Sequence, residues 1–136
     1  MDFVINNWYL FIALVVVLFL LYGGPLMLAM NGIKAVNTAE AIRMINQDNA
    51  IVVDVGEPQE FQQGHIVNAI NAPLGKLGDH ITGLSKHKAK PIIVSCRSGQ
   101  SSTKGAIRLK KNGFEQVCAL SGGMMAWQRD SLPVEK

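Results

Sequence analysis

Residues 8 to 22 read Trp-Tyr-Leu-Phe-Ile-Ala-Leu-Val-Val-Val-Leu-Phe-Leu-Leu-Tyr, with no charge, no glycine and no proline. Gly23-Gly24-Pro25 interrupts the run, and Leu26 to Met30 continues it. From Trp8 to Met30 is 23 residues. As a helix this reaches roughly 34 Å, enough for a hydrocarbon core of about 30 Å. A cleaved signal peptide needs a basic start, whereas this chain opens Met1-Asp2 and has no Lys or Arg before Lys34. A buried core helix is rarely apolar on every face over 15 residues. The expectation is therefore a retained transmembrane helix over about 8–30, within an anchor of residues 1–33. Trp8, Tyr9 and Tyr22 suit the interfaces. Lys34 and Arg43 on the C-terminal side, against Asp2 on the other, place the rest of the chain in the cytoplasm by the positive-inside rule. The expected location is the inner (plasma) membrane, crossed once.

Residues 34–136 remain, enough for one compact core. All 13 Lys and Arg residues lie here. The whole chain carries a formal charge of +3, too mild and scattered to argue for nucleic acid. Two cysteines are too few for a disulfide scaffold or a Cys-rich zinc site. No metal or cofactor is expected.

The segments alternate in type. Asn37 and Glu40 have the spacing of a capping box, which predicts a helix over Thr38 to about Asn46. Ile51 to Val55 is a β-branched run and reads as a buried strand. Pro58 opens a short helix. Ala69 to Ala72 is a second strand, and Leu74 to Leu84 holds one or two short helical turns. Pro91 to Ser95 is the clearest strand. Ser101 or Ser102 is expected to cap a helix to about Asn112, with Gly113 ending it. Gln116 to Leu120 is a strand, and Met124 to about Asp130 a last helix. Strands alternating with helices predict an α/β fold, a parallel sheet with helices on both faces. Ligands of such sheets lie beyond the carboxyl ends of the strands.

The strand ending at Ser95 delivers Cys96 into such a loop. Arg97-Ser98-Gly99-Gln100-Ser101-Ser102 follows and leads into a helix. A loop folded back between strand and helix turns several backbone N–H groups inward. The helix N-terminus adds about half a positive charge. Together they make an anion cradle, and Gly99 permits close backbone approach. A thiol at its centre is favoured as thiolate, the nucleophilic form. Cys118, between Val117 and Ala119, reads as a packing residue instead.

These residues resemble the active-site loop of the rhodanese family. Asp54-Val55-Gly56-Glu57-Pro58-Gln59-Glu60-Phe61, then Gly64-His65-Ile66 and Ala69-Ile70-Asn71-Ala72-Pro73, resemble its first signature. Gly113-Phe114, Val117, Leu120, Gly122-Gly123 and Ala126-Trp127 resemble its C-terminal one. The match covers about residues 34–131, and a membrane-anchored single-domain bacterial type resembles the whole. The resemblance implies a rhodanese-like fold and a sulfurtransferase. Cys96 would be the catalytic nucleophile, taking sulfane sulfur from a small anionic donor such as thiosulfate as a persulfide. It would pass the sulfur to cyanide or to a thiol, small or borne on a protein. Arg97, Ser98, Gly99, Gln100, Ser101 and Ser102 would bind the substrate through amides and side chains. Related phosphatases and arsenate reductases have a loop one residue longer, so the six residues from Cys96 to Ser101 argue for sulfur transfer.

Two positions depart from the family pattern. Gly56 and Ser101 stand where arginine is frequent. Losing two cations weakens binding of a dianion, each charge-assisted contact being worth about 1.5–3 kcal/mol. This favours an alternative: a catalytically weak or inactive rhodanese-fold binding module presented at the membrane. The remaining polar residues have structural readings. Asp54 and Glu57 cap backbone or pair with a base, His65 bonds backbone, Asn68 makes a turn where glycine is usual, and the basic run from Lys86 to Lys90 is a solvated loop, with anionic lipid as the alternative given the anchor. Met124 and Trp127 belong to the core.

Overall fold

The computed structural model describes residues 2–30, 32–97 and 100–136, with the side chains of residues 24, 25, 27–29 and 100 left aside. Two helices, α1 (Asp2–Asn6) and α2 (Trp8–Met30), come first. A short strand β1 (Lys34–Val36) leads to α3 (Thr38–Gln47). The Asn37 side chain accepts the Glu40 N–H at 2.8 Å, so the predicted cap is present, a contribution of about 1 kcal/mol. Glu40 does not reach back to complete the box; its carboxylate faces Lys34 at 3.7 Å.

The chain then runs β2 (Ile51–Asp54), α4 (Pro58–Gln63), β3 (His65–Ile66) and β4 (Ile70–Asn71). A 3₁₀ turn at Leu74–Lys76 passes into α5 (Leu77–Leu84), and a second at Ser85–His87 precedes β5 (Ile92–Ser95). Next come α6 (Gln100–Lys111), β6 (Val117–Leu120), α7 (Gly123–Arg129) and β7 (Val134–Glu135). Gly113, at φ +95°, lets the chain leave α6 in a left-handed conformation closed to most residues.

Five strands form one parallel sheet in the order β1-β6-β5-β2-β4. Alternation along β2 and β5 divides the core. Val53 and Val94 face α5 and α6, packing with Leu77, Leu84, Ala106 and Leu109. Val52 and Ile93 face α3 and α7, packing with Ala41, Met124 and Trp127. Helices thus cover both faces, as the alternation of segments implies. Burial of both faces explains why the strands read as unbroken apolar runs.

Three expectations differ from what the structure shows. The transmembrane helix expected over residues 8–30 is without structural support: among the described residues no helix is long and apolar enough to cross a membrane. Second, α6 starts at Gln100, so Ser101 and Ser102 lie inside its first turn rather than capping it, and the Ser102 N–H, among the first-turn donors that a helix does not satisfy itself, meets the Cys96 Sγ. Third, the sheet gains an edge, β1, and the molecule a two-stranded antiparallel clasp of β3 with β7. Neither strand of that clasp exceeds two residues, so no sequence period marks it.

Candidate active site

β2 and β5 lie side by side with Asp54 opposite Ser95, and their carboxyl ends open into the loops after Asp54 and Ser95. The Val55 N–H still donates to the Ser95 carbonyl at 2.9 Å, so both strands end at one level. Cys96 comes next. Strand alternation turns its side chain to the same face as Val94, toward α6. There the buried Ser102, in the first turn of α6, donates its backbone N–H to the Cys96 Sγ at 3.3 Å. The positive end of a 12-residue helix therefore meets the sulfur.

The other side of the loop is held by α7. The Met124 N–H donates to the Cys96 carbonyl at 2.7 Å, and the Met125 N–H to the Arg97 carbonyl at 3.0 Å. A trans peptide points its carbonyl and its N–H in opposite directions. With the Cys96 carbonyl bound to α7, the Arg97 N–H points away from α7. Gly122 and Gly123, at φ +74° and +55°, make this approach possible. A Cβ on Gly122 would come within 2.8 Å of the Ala126 Cβ.

Cys96 is 3% exposed, yet it lines a cleft of about 240 Å³. Val55, Gly56, Glu57, Leu74 and Gly75 form the wall from the β2 side, and Glu60, Arg97 and Ser101 complete it. Asn71 fixes that wall: its side-chain amide donates to the carbonyls of Asp54 at 3.1 Å and Gly56 at 3.0 Å. The Leu74 N–H donates to the Val55 carbonyl at 3.0 Å. A larger cleft of about 450 Å³ adjoins on the α7 side, sharing Arg97 and Glu60 and adding Asp54, Met125 and Gln128.

The structure brings Cys96, Arg97 and Ser101 together in one cleft and sets the Ser102 amide on the sulfur. Gln100 begins α6. Ser98 and Gly99 lie outside the described residues. Asp54 caps as expected, accepting the Gly56 N–H at 2.8 Å. Burial pushes its carboxyl above the usual carboxylate range, while the Gly56 N–H and the nearby His65 pull the other way. Burial likewise pushes the Cys118 thiol up, away from thiolate. Glu57 caps nothing with its side chain and instead lines the cleft with Glu60. His65 bonds the Phe61 carbonyl through Nδ1 at 2.8 Å and faces Glu135 at 3.2 Å. Sequence reading missed Glu60, Asn71 and the α7 amides. The first could have been found from its place one turn into the helix that follows β2. Among the described residues no His, Cys, Asp and Glu cluster could hold a metal ion.

A sulfur at the base of a cleft, met by a helix N-terminus and a backbone N–H, has the surroundings of a nucleophile. The same donors can stabilise negative charge that a transferred group leaves on the sulfur.

Comparison with known proteins gives a consistent result. The family described as Rhodanese-like domain matches residues 37–130. An uncharacterised Escherichia coli K12 protein, YibN, is 38% identical over 103 residues, which is 75% of this chain and 72% of that one. A rhodanese-related protein from Thermoplasma volcanium superposes with a TM-score of 0.67 at 28% identity, over 75% of this chain and 97% of that one. A thiosulfate sulfurtransferase from Pseudomonas aeruginosa shares the fold, with a TM-score of 0.71 at 23% identity, over 82% of this chain and 22% of that one.

Proposed function

Since the chain belongs to the rhodanese-like family, we propose that it is a sulfurtransferase working through a persulfide on Cys96. The thiolate attacks the outer sulfur of a sulfane donor, of which thiosulfate is the simplest. A new S–S bond forms on Cys96, and the old one breaks with its electron pair leaving on sulfite. A thiol or cyanide acceptor then takes the terminal sulfur and restores the thiolate. The observation that carries this reading is the Ser102 N–H placed 3.3 Å from Sγ at the start of α6, beside an open cleft. The loop of residues 96–102 supplies the binding groups, with Arg97 and Ser101 on the cleft wall.

The test is intact mass after incubation with thiosulfate and other sulfane donors. Gain of one sulfur that Cys96→Ser abolishes supports the reading. A domain that binds partners without turning sulfur over would gain nothing from any donor.

The proposal extends to residues 1–33 as a single-pass anchor in the inner membrane, with the domain facing the cytoplasm. α2 has 23 residues and no charge, and the large apolar side chains from Trp8 to Tyr22 are 45–75% exposed on every face. A protein groove would cover one face only, whereas lipid covers all of them. Lys34 and Arg43 follow the helix and set the direction. Alkaline carbonate extraction of membranes tests it: an anchored chain stays in the pellet, and release into the supernatant refutes the anchor.

A further inference from the structure

The sheet sorts the charges of the chain by end. All five of its strands run the same way, so their amino ends share one rim and Cys96 lies at the other. The Ile51 N–H donates to the Pro91 carbonyl at 2.9 Å and the Ile92 N–H to the Gln116 carbonyl at 2.7 Å, which keeps the amino ends of β2, β5 and β6 level. The cleft end is mixed in sign: Lys76, Arg97 and Lys104 stand there with Asp54, Glu57, Glu60 and Asp79. The amino rim is basic. Lys86, Lys88 and Lys90 occupy the run into β5 with no carboxylate among them, and Lys110 and Lys111 end α6 just before β6. The carboxylates on this rim are Asp48 before β2 and Glu115 before β6. Glu135, at the clasp, bonds the Asn68 N–H and is followed by Lys136. Arg43 and Arg108 stand midway along α3 and α6.

The rim lysines form one patch. The Lys110 ammonium donates to the Glu115 carbonyl at 2.7 Å, and the Glu115 N–H donates to the Lys88 carbonyl at 3.3 Å. The Lys88 ammonium lies 5.8 Å from the centre of the Phe114 ring. A carbonyl and a ring are neutral partners, so the charge stays on each lysine. The ion pairs among the described residues are Lys34–Glu40, His65–Glu135 and Arg129–Asp130, none of which uses a rim lysine of this patch. Lys86, Lys90 and Lys111 are exposed. The N-terminal helix joins the domain at this same end. β1 begins at Lys34, four residues after Met30, a reach of at most about 14 Å, and α2 packs against α6.

We propose that this rim is a docking surface for the anionic headgroups of the bilayer that holds α2, and that docking turns the Cys96 cleft away from the membrane. This rests on residues 1–33 being an anchor. Basic segments beside a membrane span are drawn to anionic lipid. Lys86 and Lys90 border separate clefts, a spread of charge that suits headgroups laid over a plane rather than one small ligand. The short link from Met30 keeps the rim within reach of those headgroups. Cys96, at the far end of β5, then faces the aqueous phase, open to donors and acceptors.

The experiment uses the full chain, reconstituted into vesicles of phosphatidylcholine alone or with an equal share of phosphatidylglycerol. Flotation reports insertion, and the acylation rate of each lysine by a membrane-impermeant ester is read by peptide mass. Lys86, Lys88, Lys90 and Lys111 should react at least about fivefold more slowly in the anionic vesicles, the size of one lysine's attraction to such a surface. Lys76 and Lys104, at the cleft end, should keep their rates. The protection should fade in roughly 1 M salt, where the Debye length is about 3 Å. The triple substitution Lys86→Gln, Lys90→Gln and Lys111→Gln should still float and should lose the protection at Lys88. Equal rim rates in the two vesicles, or slowing of Lys76 and Lys104 by the same factor, overturns the docking while leaving the anchor. A chain left behind by the neutral vesicles overturns the anchor, and the docking with it.

Discussion

Gly105→Ala sets two effects of opposite sign against each other at the back of the site. Gly105 lies in α6, where replacing glycine by alanine in a helix interior ordinarily gains about 1 kcal/mol. Its missing side chain, however, is where the sheet begins. A Cβ at this position would sit 2.9 Å from the Val55 Cγ1 and 3.3 Å from the Val94 Cγ1. Both valines are almost fully buried and branch at Cβ, so neither can swing away. Overpacking of this kind costs about 1–3 kcal/mol. The contact outweighs the propensity, and the expected net loss is about 1 kcal/mol. Urea denaturation should show a lower midpoint with an unchanged slope. The strain can relax only by moving α6 off the sheet, which carries the Ser102 N–H away from the Cys96 Sγ, so sulfur loading should slow as well. Val55→Ala removes the obstructing methyls and should itself cost about 1–3 kcal/mol as a cavity. Combined with Gly105→Ala it should recover at least about 1 kcal/mol relative to additivity. A Gly105→Ala midpoint at or above that of the parent chain would refute the reasoning, because propensity would then have won.

Three other perturbations follow from the same contacts. Asn71→Ala removes two hydrogen bonds to the β2 loop, but the Asp54 carbonyl keeps the Ala72 N–H at 2.8 Å. A loss of about 1–2 kcal/mol is expected in urea, together with slower sulfur loading; full activity would show that the cleft wall stands without Asn71. The Asn68 N–H, and then His65, hold the Glu135 carboxyl below the usual carboxylate range. The clasp is therefore strongest above the ordinary carboxylate pKa and weakens as pH falls through the lowered folded value. Hydrogen exchange at β3 and β7 should accelerate in acid, and Glu135→Gln should flatten that dependence; a parent chain with pH-independent protection would contradict it. Finally, iodoacetamide should modify Cys96, which lines the cleft, faster than Cys118, whose thiol burial pushes up. Equal rates at the two cysteines would contradict the assigned roles.

The features legible in the sequence are those fixed by short-range chemistry. Asn37 and Glu40 mark a helix start because a cap is a contact three residues long. The β2 and β5 runs declare themselves because strands covered on both faces need apolar side chains throughout. Cys96 is legible as the residue that follows such a strand. The hidden features are set at long range. β1 has three residues and is a strand only because β6 lies beside it. The clasp joins His65 to Glu135, and no local pattern links them. The grip of α7 on the Cys96 and Arg97 carbonyls is made by backbone, which carries no residue type to read. Glu57 misleads for a related reason. Its place before Pro58 is a cap position, yet Asp54 closes the turn, and the Glu57 carboxylate is left to face the cleft.

The central claim is that one sulfur atom, that of Cys96, carries the transferred group and gives it up again. A single-turnover cycle followed by intact mass and peptide mapping tests it most directly. The account predicts one added sulfur located on Cys96 and untouched by Cys118→Ser. Addition of a thiol should then return the protein to its starting mass, with one equivalent of sulfur on the acceptor. Sulfur that maps to Cys118, or that still loads after Cys96→Ser, would contradict it.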